Sequence, residues 1–136
     1  MSIILYLPFP PTVNSYYQVI ARHRGMKRIS KAGLAFRNAV EIAVAEQAHL
    51  SDPLFGNLHV EVILHAPDQR KRDLDNYMKA LLDACTQVEL WLDDSQIDQL
   101  TILRGEVVQK GLVRLEINEA GPVIPLSFTK ANTSEK

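Results

Sequence analysis

The chain carries a single cysteine, Cys85, among 136 residues, which excludes an intramolecular disulfide and suits a reducing cytosol. It lacks the run of about eighteen apolar residues that a membrane-spanning helix needs. Its first residues, Met-Ser-Ile-Ile-Leu-Tyr-Leu-Pro, have neither a basic stretch nor a small-residue cleavage site, so no signal peptide is expected. There is no Gly-x-Gly-x-x-Gly, no Gly-Lys-Ser/Thr phosphate loop and no Gly-x-Ser-x-Gly. These absences remove the dinucleotide-binding, P-loop and serine-hydrolase classes. His23, His49, His59 and His65 show no paired ligand spacing, which argues against zinc. Net charge is -1, so the overall balance does not point to nucleic acid.

What is present is an ordinary globular composition, 46% hydrophobic and 23% charged. The length fits one domain over residues 1–120, with a frayed C-terminal tail over 121–136 that holds two prolines and a polar end. Eight of the fifteen Lys and Arg fall in two stretches: Arg22, Arg24, Lys27, Arg28, Lys31 and Arg70, Lys71, Arg72. Clustering matters more than the sum, because the field that recruits a polyanion is local.

Ile3 to Phe9 alternates as a strand and stops at Pro8-Phe9-Pro10-Pro11. Thr12 to Ser30 has no apolar period, carries the first basic cluster, and reads as a functional or mobile loop. Ser30 is the expected N-cap of a helix over about 32–49, with Phe36, Val40, Ala43 and Val44 as its apolar stripe. Leu58, Val60, Val62 and Leu64 alternate with polar residues as a half-buried strand. A second helix is expected over about 74–88, with Leu74, Met78, Leu81, Cys85 and Val88 facing the core. Asp75, Lys79 and Asp83 make an adjacent polar stripe. Leu100, Ile102 and Val107 to Val108 suggest a third strand, Lys110-Gly111 a hairpin turn, and Leu112 to Asn118 a fourth strand. The order β-α-β-α-β-β predicts an α/β layered (α+β) domain, with a small mixed four-stranded sheet and two main helices.

The chemistry concentrates between Arg70 and Asp94. Three consecutive cations meet Asp73 and Asp75 at the mouth of the second helix, and Asp93 and Asp94 follow it. Asp73 alone reads best as a helix cap. If the chain brings the second acidic pair beside the first, three or four hard oxygen donors converge, the set Mg²⁺ prefers. Such ions generate an attacking hydroxide and stabilise a leaving oxygen, so the pattern suggests a metal-dependent phosphodiesterase. Lys79 is open between an i,i+4 salt bridge with Asp75 and a cation beside the scissile phosphate. Asp83 reads as a solvated helix residue, and Trp91 and Cys85 as core. Arg70, Lys71 and Arg72 would hold a phosphate backbone next to the metal. The Arg22 to Lys31 cluster, with Tyr16, Tyr17 and His23 nearby, fits a loop that grips nucleic acid.

Arg72-Asp73-Leu74-Asp75-Asn76, followed by Lys79 and then Trp91-Leu92-Asp93-Asp94, resembles the RusA family of Holliday-junction resolvases. The likeness reaches upstream to Leu7-Pro8-Phe9-Pro10-Pro11, Asn14, Tyr16, Tyr17, Ser30, Gly33 and Arg37, and covers about residues 3 to 119. It implies a cytoplasmic homodimeric endonuclease, associated with the nucleoid when acting, that binds four-way DNA junctions and nicks two opposed strands using Mg²⁺. Mn²⁺ is the alternative ion. By position, Asp73, Asp75 and Asp94 would be the metal-binding catalytic carboxylates and Lys79 the essential cation. Asp93, Asn76 and Asn14 would support those ligands from behind. Two other readings remain open: a junction-binding protein that does not cut, and a regulatory domain whose carboxylates only cap helices.

Overall fold

Strand β4, Leu58–His65, sits inside the sheet because its alternation is complete: Leu58, Val60, Val62 and Leu64 are all buried. The computed structural model describes residues 2–21 and 25–119. Arg22, His23, Arg24 and the expected tail lie outside the described residues.

Strand β1 covers Ser2–Leu7, and a short helix α1, Val13–Tyr16, follows the prolines. A hairpin of β2, Tyr17–Ala21, and β3, Met26–Ile29, leads into the long helix α2, Lys31–Gln47. After β4 come a 3-10 turn, Leu74–Tyr77, and helix α3, Met78–Gln87. A second 3-10 turn, Asp94–Gln96, opens strand β5, Ile97–Arg104, and β6 is Leu112–Glu119.

The main sheet has the order β1-β6-β4-β5. Strands β4 and β5 are parallel, with Leu58 opposite Ile97 and Leu64 opposite Arg104. A parallel pair needs a crossover, and the 3-10 turn with α3 supplies it. Strand β6 runs antiparallel to both β1 and β4. One core joins the sheet to the helices: Leu5, Leu115 and the β4 residues meet Phe36 and Val40 of α2, and Leu81 and Cys85 of α3. The mixed four-stranded sheet with two main helices is as expected.

Four details differ from the sequence reading. Residues 12–30 are not one loop, since they form α1 and the β2–β3 hairpin among the described residues. The second helix begins as a 3-10 turn, so its α-helical part starts at Met78. The third strand starts at Ile97 and ends before Val107. Lys110 and Gly111 do form a tight turn with positive φ at both, yet it closes no hairpin between neighbouring strands. The chain instead crosses the end of β4, where Gly105 N donates to Leu64 O and Val108 N to Ala66 O, and β6 inserts between β4 and β1. A side chain at Gly111 would strike the Phe9 side chain at its Cβ, so both backbone angle and space call for glycine there.

Ser30 caps α2 as expected, accepting from Gly33 N at 3.0 Å. Its hydroxyl also donates to the carbonyls of Ser15 and Tyr16, which fastens α1 to the start of α2. Gly33 leaves room for this approach, because a Cβ there would press into the Tyr16 carbonyl. Ser30 and Gly33 thereby hold the base of the basic hairpin.

Candidate active site and nucleic-acid interface

The turn before α3 is built around Asp68. Its carboxylate accepts from Arg72 Nη1 at 2.7 Å and from Arg70 N at 3.0 Å. The Arg72 hydrogen bond leads in holding the Asp68 carboxyl down, at about 2. Arg72 also lies 5.8 Å over the Phe9 ring, and its carbonyl accepts from Arg104 Nη2 at 2.7 Å. With a side chain only 15% exposed, Arg72 is a clamp on the turn. Arg70 is 83% exposed, Lys71 is exposed, and both are available to a phosphate backbone. Together with Arg72, Asp73, Arg104 and Gly105 they line a cleft of about 510 Å³. Arg104 was not among the sequence candidates, because one arginine ending a strand carries no local signal.

Asp73 precedes the 3-10 turn but makes no side-chain cap hydrogen bond. The capping role that best explained it in isolation is therefore absent. Asp75 and Asn76 are exposed on the same turn. Lys79 does not pair with Asp75. Its Nζ stands 3.2 Å from Asp83 Oδ2, one turn further along α3. Asp83 also accepts from Tyr17 Oη, and its side chain is only 14% exposed rather than solvated.

Asp93 does have a structural task. It caps the second 3-10 turn, accepting from Ser95 N at 3.1 Å within a reciprocal capping box with Gln96. The Ser95 hydrogen bonds lower the Asp93 pKa. Gln96 accepts from the backbone of Leu92 and Asp93, and donates to the carbonyls of Leu54 and Gly56. Trp91 is fully buried below, with Nε1 donating to Thr86 at 2.8 Å. This scaffold fixes the Asp93-Asp94 segment. Among the described residues, the carboxylates of Asp73, Asp75 and Asp94 make no hydrogen bond or ion pair.

These three carboxylates do not converge within one chain. Among the described residues, no group of three or more His, Cys, Asp or Glu stands close enough to hold a metal ion. The register explains this: Asp94 lies just before Ile97, whereas Asp73 shares its cleft with Arg104 at the far end of β5. At ~3.3 Å per residue the strand separates its two ends by roughly 23 Å. As chemistry the donors suit a hard dication, since all three are unengaged carboxylates. As geometry one copy falls short.

Lys27, Arg28 and Lys31 are exposed at the hairpin and the first turn of α2, and Asn14 is exposed on α1. Cys85 is buried, and burial pushes its thiol up to about 12, so it is core rather than a nucleophile.

Comparison with known proteins gives the family. A family model described as "Endodeoxyribonuclease RusA" matches residues 8–118. A crossover junction endodeoxyribonuclease RusA of Shigella sonnei (strain Ss046) is 37% identical over 115 residues, covering 85% of this chain and 92% of the relative. The RusA proteins of Escherichia coli (strain K12) and Enterobacteria phage 82 are each 36% identical with the same coverage. The family match runs through both acidic turns, the basic hairpin, strands β4 and β5 and nearly all of β6, and the chain belongs to the RusA family of endodeoxyribonucleases.

Proposed function

We propose that this protein is a metal-dependent endonuclease that resolves four-way DNA junctions by paired symmetric nicks, in recombination and repair. The observation that carries the reading is a set of three carboxylates, Asp73, Asp75 and Asp94, left unengaged by the fold in a chain of this family. Their donor chemistry suits Mg²⁺, with Mn²⁺ as the alternative ion. What such an ion supplies is Lewis acidity toward phosphoryl oxygens and an acidified water. The rest is the work of the chain. Asp73 and Asp75 present oxygens from a turn that Arg72 and Asp68 clamp. Lys79 offers positive charge where negative charge grows on the scissile phosphate. Arg70, Lys71 and the hairpin cations take flanking phosphates and set the strand's position. Asp93 and Asn76 shape the two turns around the ligands, and Asn14 stands at the base of the hairpin.

A homodimer completes this account. Asp94 lies before the start of β5, away from Asp73 and Asp75 of its own chain at the strand's far end, so the acid set is closed between two copies. A two-fold pair then presents two identical sites to the two equivalent strands of a junction. We hold residues 1–120 to be one nuclease domain followed by a tail, acting in the cytoplasm at the nucleoid. Among the described residues no helix is long and apolar enough to cross a membrane.

The test is cleavage of a labelled synthetic four-way junction beside a linear duplex, with Mg²⁺ or EDTA. Paired nicks on the junction alone, lost in EDTA, are expected. Binding without nicks under Mg²⁺ and Mn²⁺, over several junction sequences, would replace the reading with that of a non-cutting binder.

A further inference from the structure

Tyr17 and Asp83 stand next to the proposed site without a part in it. The Asp83 carboxylate is mostly enclosed, and it meets the Lys79 ammonium with both oxygens, at 3.3 Å from Oδ1 and 3.2 Å from Oδ2. Tyr17 Oη donates to Oδ2 of the same carboxylate across 66 residues of sequence. An enclosed carboxylate is stable only while compensated, which ties its position to both partners. Burial first, and then the bond to Asp83, raise the Tyr17 pKa, so the phenol stays protonated and donating.

Tyr17 is itself held. Its ring meets the buried Tyr16 edge-on at 4.8 Å, and Ser30 secures the Tyr16 carbonyl. Lys79, by contrast, has a side chain 61% exposed on a long flexible stem. A simple i,i+4 pair would leave that stem many arrangements and contribute a few tenths of a kcal/mol. The phenol changes this by fixing the carboxylate from a different element. Tyr17 also opens β2, whose partner β3 carries Lys27 and Arg28.

We infer that Tyr17 and Asp83 are positioning residues for Lys79: they fix its ammonium on α3, the helix that follows the Asp73–Asp75 turn, and tie that place to the basic hairpin. The inference rests on the endonuclease reading above. Deleting either partner leaves Lys79 charged and present but misplaced, which lowers the rate of the chemical step and spares junction binding.

The experiment is single-turnover junction cleavage by the full chain with Mg²⁺, for wild type, Tyr17→Phe, Asp83→Asn, Lys79→Met and the double variant Lys79→Met/Asp83→Asn. Junction affinity and thermal unfolding are measured for each. Tyr17→Phe and Asp83→Asn are expected to slow cleavage roughly ten- to a hundredfold. Junction Kd should stay within about twofold, and Asp83→Asn should cost nothing more once Lys79 is gone. Additive losses in the double variant, or full rates in both single variants, overturn the positioning role. If Asp83→Asn does not fold, the same cycle is run with Tyr17→Phe, which removes one hydroxyl. A wild type that leaves junctions whole sinks the endonuclease reading and the positioning role with it. A cutting wild type with an additive cycle sinks the positioning role alone.

Discussion

Two 3-10 turns of this protein are each preceded by an aspartate, and they use it in opposite ways. At the second turn Asp93 accepts from Ser95 and shares a reciprocal box with Gln96, so its carboxylate is part of the fold. At the first turn Asp73 caps nothing, and the turn is held instead by Asp68 and Arg72 beside it. Folding has given the structural work to a neighbour in one place and to the first acid itself in the other. The acids left over are Asp73, Asp75 and Asp94, and a carboxylate that the fold does not need is the one free to take a ligand.

The largest effect should come from these unengaged acids. Asp73→Asn, Asp75→Asn or Asp94→Asn should each lower junction cleavage about a thousandfold or more, while unfolding temperature and junction affinity change little. A large fall in stability instead would make these acids structural and dissolve the contrast with Asp93. Next come the cations. Arg70→Ala and Lys71→Ala should each flatten the dependence of log Kd on log salt by about 0.9, as for one phosphate contact. Arg72→Ala should act mainly on stability, because its guanidinium is engaged by Asp68. Equal salt slopes for all three would contradict that division.

Asp93→Ala is smaller, with a modest loss of stability expected from the missing cap, read in denaturant unfolding. The smallest effect belongs to acid titration of Asp68. Its carboxyl is depressed to about 2 by Arg72 and Arg70, so its contribution is full above the ordinary carboxylate range near pH 4. That contribution fades as pH falls toward about 2. Asp68→Asn should flatten the acid limb of the stability curve over this window, and an unchanged limb would assign the limb to other groups.

Much of the fold was legible because it is local. Strand β4 announced itself by strict alternation, and α2 by Ser30 with a 3.6-residue apolar stripe. The hairpin β2–β3 reads as a loop from sequence because its strands are short and two of the four residues of β3 are cations, so no period stands out. The place of β6 between β1 and β4 was not legible at all. That choice depends on how the crossing segment 105–111 packs on the end of β4 and on Phe9, which no window of sequence contains. The site divides in the same way. The spacing of Asp73 and Asp75 and the Trp-Leu-Asp-Asp run were visible directly, and so was their chemistry. That β5 would hold Asp94 away from Asp73 was not, nor that Tyr17 would cover Asp83, a residue on a polar stripe.

The central claim is that Asp73 and Asp75 of one turn act with Asp94 of the other across two copies of the chain. It is tested most directly by mixing Asp73→Asn and Asp94→Asn proteins, each inactive alone, under conditions that exchange subunits. A shared site predicts that the mixed dimer regains one intact acid set and nicks a single strand of the junction. If the mixture leaves both strands whole while wild type cuts them, the carboxylates do not act between copies, and the account is wrong at its centre.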